Sequence, residues 1–392
     1  MTPQARGGRA FHAPGGGRRW DGSRDLEWEW WWPVSGERQF RALQESDLDS
    51  LADLLDAVFG VRMSPRELHW KYFSSPPGSS LSSVALRDGD PIGFNGNIPV
   101  RFRVAGHDVL GALGVDLAVL ESERRLDTFL SLMHATGERL YERQAAFVYG
   151  IPNCEASELN KTILGQQSVA PVPLLVKILR IGSQVSDGRM ARRGAGLVSA
   201  AMRAVRRSAA RRRAAVPDGL RLQPVPPADE RLDTLWRRMR DDYPVMSVRD
   251  TRHLAWRYGA SPRAYETIAL ERVETGALEG YIVLGRLHAR GLGRGRIVDL
   301  MTPRSAPPAF AAALVRRAVQ RFDEAGMDRI DCWMFPHVHL YPALRRQGFI
   351  PRDKAKRELH VKPLQPPGHQ RLPDALLKPD CWHLCIGDSD VG

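Results

Sequence analysis

A segment that recurs within the chain limits the possible folds more than any composition figure. WKYFSSP at 70 to 76 returns as WRYGASP at 256 to 262, an offset of 186, while Asp116-Leu117 matches Asp299-Leu300 and Gly165 matches Gly348, both at 183. Three landmarks held in order over roughly 90 residues point to two copies of one supersecondary arrangement. With 392 residues the chain has room for two cores of ordinary domain size.

The hydrophobic pattern supports the duplication. After Arg38 the first copy reads as a short strand at Gln39 to Leu43, an apolar-periodic helix to Phe59, and a second helix opened by Ser64 and Pro65. Alternating runs near Ser83 to Arg87, Ile92 to Val104 and Val109 to Leu120, split by Asp88-Gly89-Asp90 and Ala105-Gly106-His107, predict an antiparallel meander. A helical period from Leu126 to Leu140, a strand at Ala146 to Ile151 and a helix closed by Gly165 complete it. The second copy repeats that order and ends with a helix closed by Gly348. The fold class is α/β (α+β), two tandem domains, each a mixed, mostly antiparallel sheet flanked by helices.

Four regions follow. Residues 1–36, crowded with Gly, Arg and Trp (Trp20, Trp28, Trp30, Trp31, Trp32), read as a disordered arm, and 37–180 as the N-terminal domain. Residues 181–217 read as a basic linker helix, with no acid between Met190 and Val216, and 218–392 as the C-terminal domain with its tail. The apolar face of the linker (Leu197, Val198, Ala201, Met202, Val205) suits packing on a domain, and its arginines suit peripheral contact with an anionic membrane or nucleic acid. No apolar run is long enough to span a bilayer, Arg18-Arg19 is followed by no apolar signal region, and four scattered cysteines fit a reducing compartment. The expected location is the cytoplasm. A net charge of +12 favours anionic partners, though no stable nucleic-acid complex is expected.

The segment VDLAVLESERRLDTFLSLM at 115 to 133 runs from the last meander strand into a helix. It resembles the coenzyme-A motif of the GNAT superfamily of acyl-CoA N-acyltransferases. YGIPN at 149 to 153 and LNKTILG ending at Gly165 resemble the second motif of that superfamily. In such a fold two neighbouring strands splay, the exposed strand edge hydrogen-bonds the pantetheine arm, and the next helix N-terminus receives the pyrophosphate. The resemblance implies acetyl-CoA or another acyl-CoA as cosubstrate, bound through Leu117, Ala118, Val119, Arg124, Arg125, Thr128 and Asn153. The phosphate loop departs from the family at Arg125, Leu126 and Asp127, where glycine is usual at the first and third positions, and Lys161 stands where many members have a catalytic tyrosine. The whole chain looks closest to tandem members from bacterial polysaccharide and secondary-metabolite pathways, whose tails are similar to WHLCIGDSD at 382 to 390.

The implied reaction is direct attack of an amine, on a sugar or other small metabolite, on the thioester. Asp116, Glu67 and His69 are candidate bases and Lys161 a candidate acid; Asn95 and Asn97 in GFNGN, with Tyr341, are candidate acceptor contacts. The rival expectation is a GNAT-fold binding or scaffold protein that has lost the chemistry. Cys381, His383 and Cys385, with His337 and His339, lack the spacing of a structural zinc site, and no metal is expected. Oligomeric state has no signature in the sequence.

Overall fold

Why the chain closes into two sheets that share strands follows from where its apolar runs can pair. The computed structural model describes residues 38–78, 80–152, 154–180, 216–289, 291–352, 357–365 and 374–390. The Trp-rich arm, most of the basic segment 181–217, and Asn153 lie outside the described residues. The first copy runs β1 (Arg38–Ala42), α1 (Leu48–Phe59), α2 (Pro65–Phe73), β2 (Ser83–Arg87), β3 (Asp90–Val104), β4 (His107–Val119), α3 (Leu126–Glu142), β5 (Phe147–Gly150), α4 (Cys154–Thr162) and β6 (Gln167–Pro171). Then follow β7 (Leu174–Ile178), β8 (Leu220–Pro224), α5 (Arg231–Met239), β9 (Val245–Ser247) and α6 (Thr251–Leu254), which continues as a wider turn over Ala255–Gly259. The second meander is β10 (Tyr265–Arg272), β11 (Leu278–Ala289) and β12 (Leu292–Met301), followed by α7 (Pro308–Glu324), β13 (Arg329–Trp333), α8 (Tyr341–Arg346), β14 (Ile350–Arg352) and β15 (Glu358–Pro363). No helix among the described residues is long and apolar enough to cross a membrane.

The first sheet has the order β1-β2-β3-β4-β5-β15-β6, with β9 alongside β3, and the second has the order β14-β7-β13-β12-β11-β10-β8. Each is antiparallel except at one step, β4 with β5 and β12 with β13, as the crossover helices α3 and α7 require. The sheets trade strands across the middle of the chain. β7, from the stretch read as N-terminal, pairs with β13 and β14, whereas β15, from the C-terminal stretch, sits between β5 and β6. One apolar core accordingly runs from Leu51 and Leu55 of α1 to Leu314 and Phe322 of α7.

The repeated WKY and WRY segments meet each other. Trp70 Nε1 donates to the Trp256 carbonyl at 2.9 Å and Trp256 Nε1 donates to the Trp70 carbonyl at 3.0 Å, with the rings stacked at 5.7 Å. This reciprocity makes the pair a pseudo-two-fold contact between the copies.

The tail is pinned by a buried ionic cluster. Arg249, 2% exposed, donates from Nε to Asp299 at 3.0 Å and from Nη2 to Asp388 at 2.8 Å, while the Tyr281 hydroxyl donates to Asp299 at 2.9 Å. Ser247 Oγ donates to Asp388 as well, and Arg257 donates to the carbonyls of Gly387 and Ser389. A Cβ on Gly387 would lie 2.1 Å from the Tyr258 hydroxyl and 3.2 Å from the Val298 carbonyl, so only glycine lets the tail press this closely on β12.

Two consequences can be measured. Arg249→Leu should lower unfolding free energy by about 3–5 kcal/mol in urea melts, because two carboxylates are left buried without their counter-charge. Burial, reinforced by the charge of Arg249, holds His253 and His383 well below the usual imidazole value of 6.5. Both are neutral in the fold, so their contribution is complete above pH 6.5 and is lost as the unfolded chain takes up protons that the fold refuses. The melting temperature should therefore fall on acidification from pH 7.5 to 5.5, and less so in His383→Gln.

Candidate functional site

β4 and β5 pair only from Gly111 to Leu113 against Phe147 to Tyr149, after which the strands diverge. The β4 edge from Gly114 to Val119 is thereby released from β5 and faces a cleft of about 1230 Å³. Within this released stretch lies a bulge: Asn95 opposes Leu117 and Gly96 opposes Val115, which leaves Asp116 as the extra residue, at φ 44°. A bulge bends its strand and turns one side chain out of register, and here that side chain is a carboxylate lining the cleft.

Asp116 is clamped from below. Lys71 Nζ and the Tyr72 hydroxyl each donate to its Oδ2 at 2.5 Å, so α2 of the repeated WKY segment supplies both donors. Burial, then the charge of Asp116, pushes the Tyr72 phenol well above its ordinary value, and it remains a donor. Asp390 reaches the same place from the tail, with its carboxylate 3.6 Å from Lys71 Nζ, one third exposed and on the cleft wall. Opposite β4 lie Gly150 and Gln166, whose buried Oε1 has no hydrogen-bond partner. Among the described residues, Lys71, Arg124, Arg263, Arg286, Arg296, Arg357 and Lys362 line the cleft with the carboxylates Asp116 and Asp390, an excess of cationic side chains suited to a polyanionic ligand.

The structure sorts the residues singled out from sequence. Leu117, Val119, Arg124, Asn95 and Asn97 line the cleft beside Asp116. Asn95 is oriented by Thr136 at 3.1 Å, and Arg124 Nε donates to the Val119 carbonyl at 3.2 Å at the end of the released edge. Ala118, the alternate residue of the strand, is buried on the opposite face. Arg125 is the N-cap of α3 but makes no capping bond and does not line the cleft. Thr128 is fully buried and does not line the cleft; it accepts from Arg38, whose other nitrogen holds Asp127 at 2.7 Å. Glu67 closes a capping box with Ser64 and its carboxylate is spent there, while His69 lies on the surface against Phe73 and Glu45. Lys161 faces Glu158 and Glu358, at 3.4 and 3.2 Å, and not the cleft. Tyr341 packs beside the core at the start of α8, away from the cleft.

Sequence reasoning passed over Lys71, Tyr72, Gln166 and Asp390. The repeated WKY and the conspicuous tail were visible signals, but their meeting place was not. In the second sheet the extra residue of the bulge is Val298, since Val283 opposes Asp299 and Leu284 opposes Ile297. Asp299 therefore corresponds to Leu117, not to Asp116, and is buried on Arg249. The tail occupies this second splay, with Gly387 against the Val298 carbonyl. His383, Cys385 and Asp388 approach within 4.8 Å of one another, but Asp388 is already committed to Arg249, whose charge would oppose a cation.

Lys161→Met should leave any transfer activity within about twofold of wild type, since an exposed ion pair contributes little. Steady-state kinetics at saturating donor would check this.

Residues 39–159 match the family model of the acetyltransferase (GNAT) domain. A search of curated proteins gives no match. Among solved structures the chain is similar to Saccharomyces cerevisiae N-myristoyltransferase with bound myristoyl-CoA, at 13% identity and TM-score 0.56 over 87% of this chain and 83% of that one. It is also similar to a probable N-acyltransferase from Enterococcus faecalis V583 (12%, TM-score 0.57, 83% and 72% covered). A GCN5-related N-acetyltransferase from Kribbella flavida resembles it to the same degree (11%, TM-score 0.55, 84% and 72%). Likeness at this identity establishes the shared fold.

Proposed function

With residues 39–159 forming a domain of the GNAT superfamily as the premise, we propose that the protein is an acyl-CoA-dependent N-acyltransferase acting on a small amine. The observation that carries this reading is the released β4 edge, Gly114 to Val119, opening beside two carboxylates and a lysine in a basic cleft. An acyl-pantetheine arm adds to that edge as a further strand, and a free β4 N–H polarises the thioester carbonyl. The phosphates lie toward Arg124 and the start of α3.

The acceptor arrives as an ammonium and must lose a proton before its nitrogen can attack. Asp390 is the carboxylate that takes this proton, because among the described residues its one ion-pair partner is Lys71, at 3.6 Å, whereas Asp116 already accepts from Lys71 and Tyr72. Attack forms the C–N bond, the tetrahedral intermediate collapses with cleavage of the C–S bond, and coenzyme A leaves as a thiolate that takes up a proton. Lys71, between both carboxylates, fixes their spacing and offsets negative charge at the reacting centre. Asp116 serves as an anchor for Lys71 and Tyr72. An acetyl or longer acyl group fits this scheme, as does an amine of a sugar or other metabolite.

A second reading is favoured by one observation. Asp127, held by Arg38 of β1, occupies the first turn of α3 where a glycine loop would approach phosphate, which suits a protein that keeps the fold for binding alone. The two part on measurement. Acetyl-CoA or a longer acyl-CoA at one hundred times its dissociation constant should stabilise the protein by about 2.7 kcal/mol, and Arg124→Ala with Arg125→Ala should abolish the shift in melting temperature. Asp390→Asn should retain the shift and lower kcat at least ~100-fold. Absence of a shift in folded wild type would refute the acyl-CoA reading, and a shift without turnover on any amine would favour the binding protein.

A further inference from the structure

Beside the main cleft lies a smaller cavity of about 200 Å³, far more than the ~10–15 Å³ that a single water needs. Lys71, Leu113 and Asp390 line both spaces, so the two meet at the lysine and the tail carboxylate. Leu113 is the last β4 residue paired with β5, and the released edge starts at the next residue, Gly114. A molecule in the small cavity whose polar end reaches Asp390 therefore stands beside the strand edge assigned to the thioester. The cavity sits at the seam of the two copies. Trp70 and Trp256, the stacked pair of the repeated segments, both line it, and Ile98, Val100 and Tyr149 of the first sheet supply a buried wall.

The polar atoms of that wall are spent on one another. Both indole N–H groups donate across the pair, to the Trp256 and Trp70 carbonyls. The Tyr149 hydroxyl donates to the Asp388 carbonyl at 3.0 Å, Arg257 donates to the carbonyls of Gly387 and Ser389, and Glu67 is closed on Ser64. His253, edge-on to the Trp256 ring at 5.6 Å, is held neutral by burial and by the charge of Arg249. Arg62 and Arg263 are exposed at the rim, where Arg62 pairs with Asp53 at 2.6 Å. What faces the interior is a surface of rings and aliphatic side chains, with Asp390 at the end that meets the cleft. An apolar body gains by leaving water for such a surface. The hydroxyls of a sugar would leave water for a wall whose donors are already taken.

We propose that this cavity is the acceptor site and that it selects a primary amine carried on a compact apolar body, aromatic or aliphatic, over an amino sugar. This rests on the acyltransferase reading for turnover but not for binding. The body of the amine packs against Trp70, Trp256, Ile98 and Val100, and its ammonium meets Asp390. The donor stays in the main cleft, and the two substrates approach each other across Lys71. The repeated segments thereby share one task, since each copy supplies one tryptophan of the seam on which the acceptor rests.

The full-length protein without acyl-CoA would be titrated calorimetrically with phenethylamine, hexylamine, glucosamine and phenethyl alcohol. Phenethylamine and hexylamine should bind at least ~tenfold more tightly than glucosamine. Phenethyl alcohol, which lacks the ammonium, should bind more weakly than phenethylamine, and Asp390→Asn should bring the two level. Met63 is only partly buried and lines the cavity, so Met63→Trp fills the space from its mouth. That variant should weaken phenethylamine at least ~tenfold while the melting shift given by coenzyme A persists. Ile98→Ala enlarges the buried end and should move the preference toward the larger naphthylethylamine. Glucosamine binding as tightly as phenethylamine, or a preference untouched in both Met63→Trp and Ile98→Ala, would overturn the proposal. Tight binding of phenethylamine with no acylation on addition of acetyl-CoA or a longer acyl-CoA would refute the acyltransferase reading and leave the amine site standing, because the titrations without acyl-CoA decide it.

Discussion

Arg249 is the charge around which the rest of the molecule is arranged. A guanidinium with 2% exposure costs several kcal/mol to desolvate unless its charge and its donors are met. Here they are met by Asp299 from the second sheet, Asp388 from the tail and Ser247 from β9, three parts of the chain far apart in sequence. Since β9 also pairs with β3, the cluster ties the first sheet to the second, and the tail to both. Two residues beyond Asp388 the chain delivers Asp390 to Lys71. The position of the candidate base thus depends on an ion cluster that touches no ligand.

The two copies share a layout and have diverged in how their splayed strands are used. In the first, a bulge with a left-handed aspartate leaves the edge of β4 open. In the second, the bulge falls on a valine and the gap is taken by Gly387 and its neighbours, held by Arg257. Lys71 and Arg257 occupy the same place in the repeated segment, yet one faces an open cleft and the other grips backbone carbonyls. With the second splay closed, Tyr265, Gly285 and Val298 of the second sheet line the cleft that opens at the first.

Much of this was legible beforehand. Periodicity located the meanders, Pro65 and Ser64 marked the start of α2, and the spacing of WKY and WRY announced the duplication. The pairing of Trp70 with Trp256 is the physical meaning of that repeat. The bulges were not legible, because a single inserted residue shifts register without altering alternation on either side, so Asp299 was matched to Asp116 when its true counterpart is Leu117. The surroundings of Thr128 were hidden for a related reason: helix-start position suggests a phosphate contact, and the sequence does not show that Arg38, from a strand 90 residues earlier, reaches the hydroxyl. Asp390 and Lys71 lie more than 300 residues apart in sequence, and only the path of the tail brings them together.

The exchange of β7 and β15 has a consequence for how the protein comes into being. A chain emerging from the ribosome can form the meander of β1 to β4 early, but β5 has no neighbour on its outer edge until residue 363 has been made, because β15 is that neighbour. β7, conversely, stays without its partner until β13 has been made, about 150 residues later. Neither half is an autonomous piece of architecture. What the sequence writes twice the fold joins into a single object, each sheet completed by a strand from the other stretch of chain.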